Sequence, residues 1–301
     1  MYLGIRKLSI PMFISHSMVY MKISKSPFFY IMLPTFNRPE LVLRSVRSVL
    51  EQAYSDYKLV IFNDGSTTNY AELESLIEGK DHIEYIKSDN IGINKSRNLM
   101  LESFLKNKNI DNAYFFTLSD DDYLKENSLS IIAEEIIKKP AVWYCFNCLS
   151  NSQHIYNNSD YVDYNVLKYS DFSKNYKGDK HFVFKLEKFT RIRYASKYFK
   201  NGYEHLFYYQ IPYKIQIIPM TVKVIEYYDD GLSLSDLYDD MSTFNIKIKE
   251  LRSIPFNWLL YKKFIIFYLK PKNIIKNLIS EDIYYKIKVK FGFKDKKNKR
   301  N

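Results

Sequence analysis

Acidic side chains follow two strongly apolar segments in the first half of the chain. The acidic run Asp120–Asp122 comes directly after Tyr114–Leu118, and Asp64 follows Lys58–Phe62. Two carboxylates about 4 Å apart repel by roughly 1 kcal/mol in water and by more where they are partly buried. Three in a row therefore need a bound cation or a Lys/Arg partner, unless they form a solvated turn before a helix that begins at Ser128. Mg²⁺ or Mn²⁺ binds through one or two carboxylates and keeps positions for phosphate oxygens.

Two further turns contain groups that can bind a nucleotide. Asn63–Ser66 has the sequence of an Asx turn in which Gly65 supplies a positive φ. At the end of a strand, the Asp64 carboxylate in this turn can accept a hydrogen bond from a base N–H. Asn90–Asn98 is a glycine turn that leads into a helix, where backbone N–H groups and Arg97 can meet phosphate. Each segment is equally compatible with a purely structural turn.

Alternating strands and helices are predicted to position these segments. The strands of the first half are predicted at Phe28–Leu33, Lys58–Phe62, His82–Lys87 and Tyr114–Leu118. The helices are predicted at Pro39–Leu50, Tyr70–Glu78, Asn94–Lys106 and Ser128–Lys138. This β–α alternation predicts a mostly parallel central sheet in a three-layer α/β/α sandwich. In such a sheet the carboxyl ends of the strands meet at one crevice, where ligands bind.

Helical periodicity predicts which helix faces turn inward. The helix that begins at Pro39 has an apolar face that includes Val42, Val46 and Val49. For the helix at Asn94–Lys106 we expect Leu99, Met100 and Phe104 to face the core.

The pattern changes in the second half of the chain. Strands are predicted at Val142–Phe146, Phe182–Leu186 and Lys214–Glu226, and a helix at Tyr198–Ile211. We divide the chain into an N-terminal extension (1–26), a nucleotide-binding half (27–140), an acceptor-binding half (141–254) and a basic aromatic extension (255–301). The last segment has a predicted helical character.

The positive charge of the chain is concentrated in this C-terminal extension. The net charge is +11 for the whole chain, and +10 of it falls in residues 255–301. Phe256–Leu269 is apolar but too short to span a bilayer, and Lys270, Lys272 and Lys276 continue it as a basic amphipathic pattern. The pattern predicts contact with an anionic membrane surface. Packing of Phe256–Leu269 on the main domain is the alternative.

The N-terminal apolar patch and the cysteine content are the features from which we predict the cellular location. The apolar patch Leu8–Ile14 is broken by Pro11, which argues against a signal peptide. Cys145 and Cys148 form a single CxxC, and a zinc site would need two more ligands at matching spacing. Two reduced cysteines beside a strand are the favoured interpretation, and a redox pair is the alternative. We expect a cytoplasmic protein that is peripheral on the inner face of the cell membrane.

Taken together, the motifs of the first half resemble family 2 glycosyltransferases, which share the GT-A nucleotide-sugar-binding fold. The resemblance covers about Phe28–Leu129. Its motifs are Pro34-Thr35-Phe36-Asn37-Arg38, Ser48-Val49-Leu50-Glu51-Gln52, Asn63-Asp64-Gly65-Ser66, Asn90-Ile91-Gly92 with Ser96-Arg97-Asn98, and Ser119-Asp120-Asp121-Asp122. Two residues depart from the family pattern. Ser119 replaces the first acid of Asp-x-Asp-Asp, and Asn63 replaces the first acid of Asp-Asp-Gly-Ser.

The resemblance implies roles for particular residues. The residues that would hold the nucleotide, a uridine nucleotide, are Pro34, Phe36, Asp64, Asn90 and Arg97, with Asp120 facing the ribose or the metal. Asp121 would bind Mn²⁺ or Mg²⁺, with Asp122 beside it. The catalytic Glu-Asp pair of the family has its counterpart in Glu204 and His205, so that Glu204 is the first candidate for the base and His205 the second. Asp229 and Asp230 are weaker candidates.

The resemblance also implies a reaction. A sugar would be transferred from a nucleotide-sugar to a glycan or lipid-linked acceptor, with inversion and with a bound metal. The product would belong to surface polysaccharide biosynthesis. A sugar nucleotidyltransferase is an alternative, but Leu33–Arg38 lacks the glycines of such a first loop. No strand is followed by the GxGxxG of a dinucleotide-binding enzyme. A non-enzymatic nucleic-acid binder would use the basic tail. No nucleic-acid partner is expected, because tail aromatics such as those near Trp258–Leu260 lie within aliphatic runs.

Overall fold

The computed structural model describes residues 26–107, 110–150, 161–175, 178–226, 228, 244–255, 261–262 and 265–266. The predictions for the N-terminal extension, for Asp229 and Asp230, and for most of the C-terminal extension lie outside these residues. No helix in the described part of the chain is long and apolar enough to cross a bilayer.

Strands and helices alternate through the first half, as the sequence pattern predicts. The strands are β1 (Phe28–Thr35), β2 (Tyr57–Asp64), β3 (Ile83–Ser88), β4 (Ala113–Thr117), β5 (Tyr123–Leu124), β6 (Trp143–Ser150), β7 (Asn165–Leu167), β8 (His181–Lys185) and β9 (Ile215–Ile225). The helices are α1 (Pro39–Leu50), α2 (Ala71–Ile77), α3 (Ile93–Leu105), α4 (Ser128–Lys138), α5 (Tyr169–Asn175), α6 (Glu204–Tyr208) and α7 (Phe244–Ser253), and a 3₁₀ turn lies at Leu186–Phe189.

These strands form one sheet in the order β3-β2-β1-β4-β8-β6-β9-β5, with β7 paired to β9. Strands β1 to β4 are mutually parallel, as expected. The other half is mixed, since β8 runs antiparallel to β4 and β6, and both β5 and β7 run antiparallel to β9. Strand direction in this half depends on where long connections place each strand, which the side-chain period of a strand does not encode.

Both faces of the sheet are buried, which gives the predicted three layers. In β1, Ile31 and Leu33 pack in a cluster with α1 and α4, whereas the alternate residues Tyr30 and Met32 pack in a cluster with α3. Side chains of a strand point alternately to the two faces, so an unbroken apolar run is what a doubly covered strand requires.

Two predictions about helices are wrong. Leu99 is 42% exposed, because the buried face of α3 passes through Met100, Leu101 and Phe104 and leaves Leu99 on the opposite side. The helix predicted at Tyr198–Ile211 is helical only in α6. Gly202 and Tyr203 have positive φ values of 70° and 62°, which a continuous right-handed helix cannot contain.

The CxxC cysteines lie in the buried interior of β6. Cys145 and Cys148 are both free thiols. Burial raises the pKa of the Cys145 thiol and raises that of Cys148 to about 12. Because the thiolate is the reactive form, these cysteines behave as small apolar side chains.

Candidate functional site

A cleft of about 870 Å³ opens at the carboxyl ends of β1, β2 and β4. The chain leaves β1 toward β2 on one side of the sheet and later returns to β4 on the other side. A reversal of this kind separates the loops that follow the two strands and leaves a crevice between them. The predicted site residues that line the cleft are Pro34, Phe36, Asp64, Asn90, Arg97, Asp120, Asp121, Asp122 and Glu204.

His205 is the predicted site residue that is not among those lining the cleft. It follows Glu204 in α6, and its ring lies 5.9 Å from that of Tyr203 and 6.2 Å from that of Tyr209. Consecutive residues of a helix point about 100° apart, so only one of the two neighbours faces the cleft.

The end of β1 is held by a tyrosine from the next βα connection. The Tyr70 hydroxyl lies 2.9 Å from Thr35 Oγ1 and accepts a hydrogen bond of 3.1 Å from the backbone N–H of Arg38. Pro39 then begins α1 without needing an N–H partner. This arrangement leaves the ring of Phe36 44% exposed at the edge of the cleft.

The buried Asp64 carboxylate holds the turn that precedes α3. It accepts hydrogen bonds from the backbone N–H groups of Ile91, at 2.7 Å, and Gly92, at 2.9 Å. Each oxygen of a carboxylate can accept a second hydrogen bond. The base-binding role of Asp64 therefore stays a prediction, and the same side chain has a structural role as well.

The two residues that flank Asp64 explain the rest of its motif. Asn63 forms the Asx turn, because its Oδ1 accepts a 2.9 Å hydrogen bond from the backbone N–H of Ser66. Gly65 has a φ of 76°, and a Cβ on it would lie 2.4 Å from the backbone nitrogen of Asn90. Glycine is thus required both for the backbone conformation and for the close approach of the two turns.

An ion pair between α3 and α6 joins the two halves of the cleft. Arg97 Nη1 donates a 2.9 Å hydrogen bond to Glu204 Oε1, and the guanidinium lies 5.2 Å from the centre of the Tyr194 ring. Burial by itself would raise the pKa of Glu204, but the positive charge and hydrogen bond of Arg97 outweigh it and hold this pKa below its usual value. Arg97 Nε is buried and has no hydrogen-bond partner among the described residues.

Two buried asparagines of α3 hold the segment that leads to Glu204. Asn94 Nδ2 donates to the carbonyl oxygens of Phe199 and Gly202, both at 2.9 Å. Asn98 exchanges hydrogen bonds of 3.0 and 2.8 Å with the backbone of Tyr194. The sequence reasoning assigned no role to either residue, although two asparagines four apart lie on the same face of a helix, where buried amides need hydrogen-bond partners.

Basic residues of the chain itself compensate the acidic run. Arg38 Nη1 lies 2.8 Å from Asp121 Oδ2 and 3.6 Å from Asp120 Oδ1. Lys223 Nζ, in β9, lies 2.6 Å from Asp122 Oδ2, and both side chains are buried. The sequence indicated that the charges of the acidic run need either a bound cation or a Lys/Arg partner. Arg38 and Lys223 are such partners. The sequence reasoning missed Lys223, which no local pattern connects to the acidic run.

The carboxylates of the run differ in environment. Burial, assisted by the charge of Asp121, raises the pKa of Asp120 to about 7. Burial also raises the pKa of Asp122 to about 6, against the charge of Lys223. Both shifts reflect removal of carboxylates from water.

Helix α1 fixes the backbone of the acidic turn. Ser45 Oγ lies within hydrogen-bond distance of the carbonyl oxygens of Asp120 and Asp122, and Arg44 Nη2 donates 2.6 Å to the carbonyl of Asp121. Ser45 is fully buried, so its place on the apolar face of α1 is explained by these contacts.

The acidic run offers the predicted metal few free carboxylates. In the described ranges, no three His, Cys, Asp or Glu side chains are grouped so that they could hold a metal ion. Asp121 lines the cleft with a partly exposed carboxylate, and one carboxylate combined with phosphate oxygens and water is a usual Mg²⁺ environment. Asp121 therefore fits as a single protein ligand on condition that the metal shares its carboxylate with Arg38, which lies 2.8 Å from Oδ2. The contact of Asp122 with Lys223 weighs against Asp122 as a second ligand, and that role stays a prediction.

Comparison with known proteins identifies the family. The glycosyl transferase family 2 model matches residues 30–210, which is more than half of the chain. The chain therefore belongs to glycosyl transferase family 2, as its motifs indicated.

Curated relatives match between 34% and 38% of the chain. The chain is 32% identical over 111 residues to the putative colanic acid biosynthesis glycosyl transferase WcaA of *Escherichia coli* K12, covering 35% of this chain and 37% of WcaA. It is 30% identical over 117 residues to the hyaluronan synthase of *Pasteurella multocida*, covering 38% of this chain and 11% of the synthase. An uncharacterized glycosyltransferase of *Rickettsia bellii* is matched over 14% of its length. The chain thus spans only a minor part of these relatives.

Solved structures share the fold. The *S. aureus* TarS 1–349 structure in complex with UDP-GlcNAc has a TM-score of 0.60 at 13% identity, covering 81% of this chain and 73% of that one. GalNAc-T7 with UDP, GalNAc and Mn²⁺ has a TM-score of 0.58 at 13% identity, covering 91% of this chain and 56% of that one. These likenesses show the predicted GT-A fold.

Proposed function

We propose that this protein transfers a sugar from a UDP-linked donor to a hydroxyl of a glycan or lipid-linked acceptor in surface polysaccharide biosynthesis, with inversion and with dependence on Mn²⁺ or Mg²⁺. The observation that carries the proposal is the convergence of four of the five motif segments, together with Glu204, on one cleft. The names of WcaA and hyaluronan synthase, and the UDP-GlcNAc in TarS, support the donor and the pathway class.

The nucleotide would occupy the side of the cleft formed by the first half. Phe36 offers an exposed ring for stacking on the base, and Asp64 keeps acceptor capacity for the base N–H. Pro34, Asn90 and Asp120 would form the walls around the base and the ribose. Arg97, with its unpartnered Nε, would face the uracil or the diphosphate.

Asp121 would hold the metal together with the diphosphate oxygens of the donor. Bound Mn²⁺ or Mg²⁺ would offset the negative charge that develops on the departing diphosphate. Arg38, 2.8 Å from the Asp121 carboxylate, would add a second positive charge on the same side of the cleft.

Glu204 is our proposed base. In an inverting transfer, the acceptor oxygen bonds to the anomeric carbon, the bond from that carbon to the diphosphate breaks, and the hydroxyl proton passes to the base. Arg97 keeps Glu204 ionised and oriented in the cleft, although the lowered pKa makes the carboxylate a weaker proton acceptor. His205 remains the second candidate.

We also propose that the protein works at the inner, cytoplasmic face of the cell membrane, next to a lipid-linked or growing acceptor. The basic amphipathic pattern of the C-terminal extension supports this location.

A panel of nucleotide-sugars tests the proposed reaction. We expect one or more UDP-sugars to raise the melting temperature and to be hydrolysed slowly in the presence of Mn²⁺, and EDTA to abolish both effects. Asp121→Ala should remove transfer and Mn²⁺-dependent donor binding. Asp163→Ala, an exposed acidic residue outside the cleft, is the matched control. Full activity in EDTA or in Asp121→Ala would refute the metal assignment.

A further inference from the structure

A second, smaller cleft of about 280 Å³ adjoins the first. Tyr169 at the start of α5 and Tyr208 at the end of α6 line both clefts, so these two rings form the boundary between them. The other walls of the second cleft include Lys168, Tyr209, Tyr213 and Lys214.

Two lysines are among the residues that line this second cleft. Strands β7 and β9 are antiparallel and their last pair is Leu167 with Ile215, so Lys168 and Lys214 are the residues directly beyond the paired strands. Both are exposed, and neither side chain forms an ion pair with another described residue. Like charges on neighbouring strands repel, and an anion bound in the cleft would reduce this repulsion.

Tyrosine rings line the same cleft as the two lysines. The ring of Tyr169 lies 5.0 Å from that of Tyr209 in an edge-to-face arrangement and 5.4 Å from that of Tyr208. Tyr213 is 36% exposed at the open side. Tyrosine combines a flat apolar face with a hydroxyl group, which suits a ligand that has both apolar C–H faces and polar edges, as a sugar ring does.

We propose that the second cleft binds the part of an anionic glycan acceptor that extends beyond the reacting residue. The lysine pair would meet carboxylate or phosphodiester groups of the acceptor, and the tyrosines would contact its sugar rings. Tyr208 follows Glu204 by about one helical turn, so a glycan that crosses Tyr169 and Tyr208 brings its end to Glu204. The inference rests on the proposed function, because it assigns an acceptor class to the same enzyme.

Calorimetry on the full chain tests this inference without requiring turnover. The probes are a hexuronate oligosaccharide, a glycerol-phosphate oligomer and a neutral maltohexaose, each added in the absence of donor. We expect at least one of the two anionic probes to bind more tightly than maltohexaose. Lys168→Gln/Lys214→Gln should weaken that binding about tenfold at low salt, as expected for the loss of two exposed charge contacts. The preferred anionic probe then distinguishes carboxylate from phosphodiester recognition.

The matched control is Lys125→Gln/Lys139→Gln, which removes the same charge from exposed positions outside both clefts. Equal binding of all three probes, or equal weakening by both double variants, would overturn the inference. The inference would also be overturned if the Lys168/Lys214 double variant lost binding to anionic phospholipid vesicles but bound the glycan probes as the wild type does. UDP-sugar hydrolysis by the same variants is measured separately. Intact hydrolysis with no anionic-glycan preference refutes this inference alone, whereas glycan binding with no UDP-sugar binding refutes the proposed function alone.

Discussion

Arg97 and Glu204 show at the scale of single residues how one contact constrains both binding and chemistry. Arg97 Nη1 and Glu204 Oε1 lie 2.9 Å apart in a partly buried site, so the loss of either charge leaves the other without its counter-charge. The pair keeps Glu204 ionised near the expected acceptor position. It also connects the proposed nucleotide side of the cleft to the proposed acceptor side.

The role of Glu204 is tested by Glu204→Gln, which keeps the shape and an oxygen acceptor for Arg97 but removes the proton acceptor. Turnover should fall by about 10²–10⁴ while the UDP affinity stays nearly unchanged. Single-turnover kinetics and calorimetry with UDP measure the two quantities. His205→Gln is the companion variant. If Glu204→Gln keeps most of its turnover and His205→Gln loses it, the base is His205.

His181 is a second residue whose environment has a measurable consequence. It lies buried in β8, with its ring 4.6 Å from that of Phe116, and its Nε2 has no hydrogen-bond partner among the described residues. Burial, with a smaller contribution from the charge of Lys223, lowers its pKa well below 6.5. The folded protein therefore holds this imidazole neutral at pH values where the unfolded chain binds a proton.

This difference predicts a pH-dependent stability. Above about pH 6.5 the imidazole is neutral in the folded and the unfolded state, and the free energy of unfolding keeps its full value. As the pH falls below this value, only the unfolded state takes up the proton, so the free energy of unfolding decreases. Between about pH 7.5 and 5.5 the wild type should lose about 1.4 kcal/mol that His181→Leu does not lose. Urea unfolding at the two pH values measures the difference, with His82→Leu, an exposed histidine, as control. Parallel losses in wild type and His181→Leu would contradict the assignment.

At the scale of structural elements, the turns after β2 and β3 approach each other closely and form one wall of the cleft. Gly65 and Asn90 are the points of contact. Asp64 then binds the amides at the start of α3, so the position of this helix depends on the same contact.

A comparison of Gly65→Ala with the control Gly79→Ala tests whether the cleft depends on the contact between Gly65 and Asn90. Both positions have a positive φ, at 76° and 72°, so each alanine costs on the order of 1–3 kcal/mol from backbone strain. A Cβ at Gly79 meets nothing within 4 Å, whereas one at Gly65 would clash with Asn90. Gly65→Ala should therefore be the less stable variant in urea and should also bind UDP more weakly. Equal stability and unchanged UDP affinity in the two variants would show that the contact is not needed.

At the scale of the whole molecule, α7 belongs to the main domain. Ile246 and Leu251 of α7, and Ile254 directly after it, pack in a cluster with Ala195, Phe199, Tyr203 and Leu206, next to the segment that carries Glu204. The chain as far as Ile254 therefore packs against the segment that places Glu204 in the cleft. The predicted division between the main domain and the basic extension, at residues 254 and 255, stays a prediction.

Truncation after Pro255 tests the basic extension as a membrane contact, and it retains Ile254. The full chain should co-sediment with vesicles that contain anionic phospholipid, since each Lys or Arg near such a surface contributes about 1 kcal/mol. The truncated chain should stay in the supernatant, and neutral phosphatidylcholine vesicles are the control. Equal sedimentation of both chains, or of neither at low salt, would exclude the extension as the anchor.

The amino-acid sequence by itself determined the first half of the fold and most of the candidate site. The predicted strand and helix ends there agree with the structure to within two residues. Apolar periodicity encodes which residues form strands and helices, and parallel strands necessarily bring the residues at their carboxyl ends together. The convergence of Asp64, Arg97 and Asp121 on one cleft follows from these local signals.

Only the tertiary structure decided which charges meet and which neighbour faces the cleft. Asp122 is paired with Lys223 from β9, and Lys168 and Lys214 line one cleft, because the fold brings together residues that are far apart in sequence. Glu204 rather than His205 lines the cleft. The positive φ values of Gly202 and Tyr203 make α6 begin at Glu204, and this starting point determines which of its side chains point into the cleft. Such contacts depend on strand order and on backbone conformation at single residues, and neither has a period that a sequence pattern can reveal.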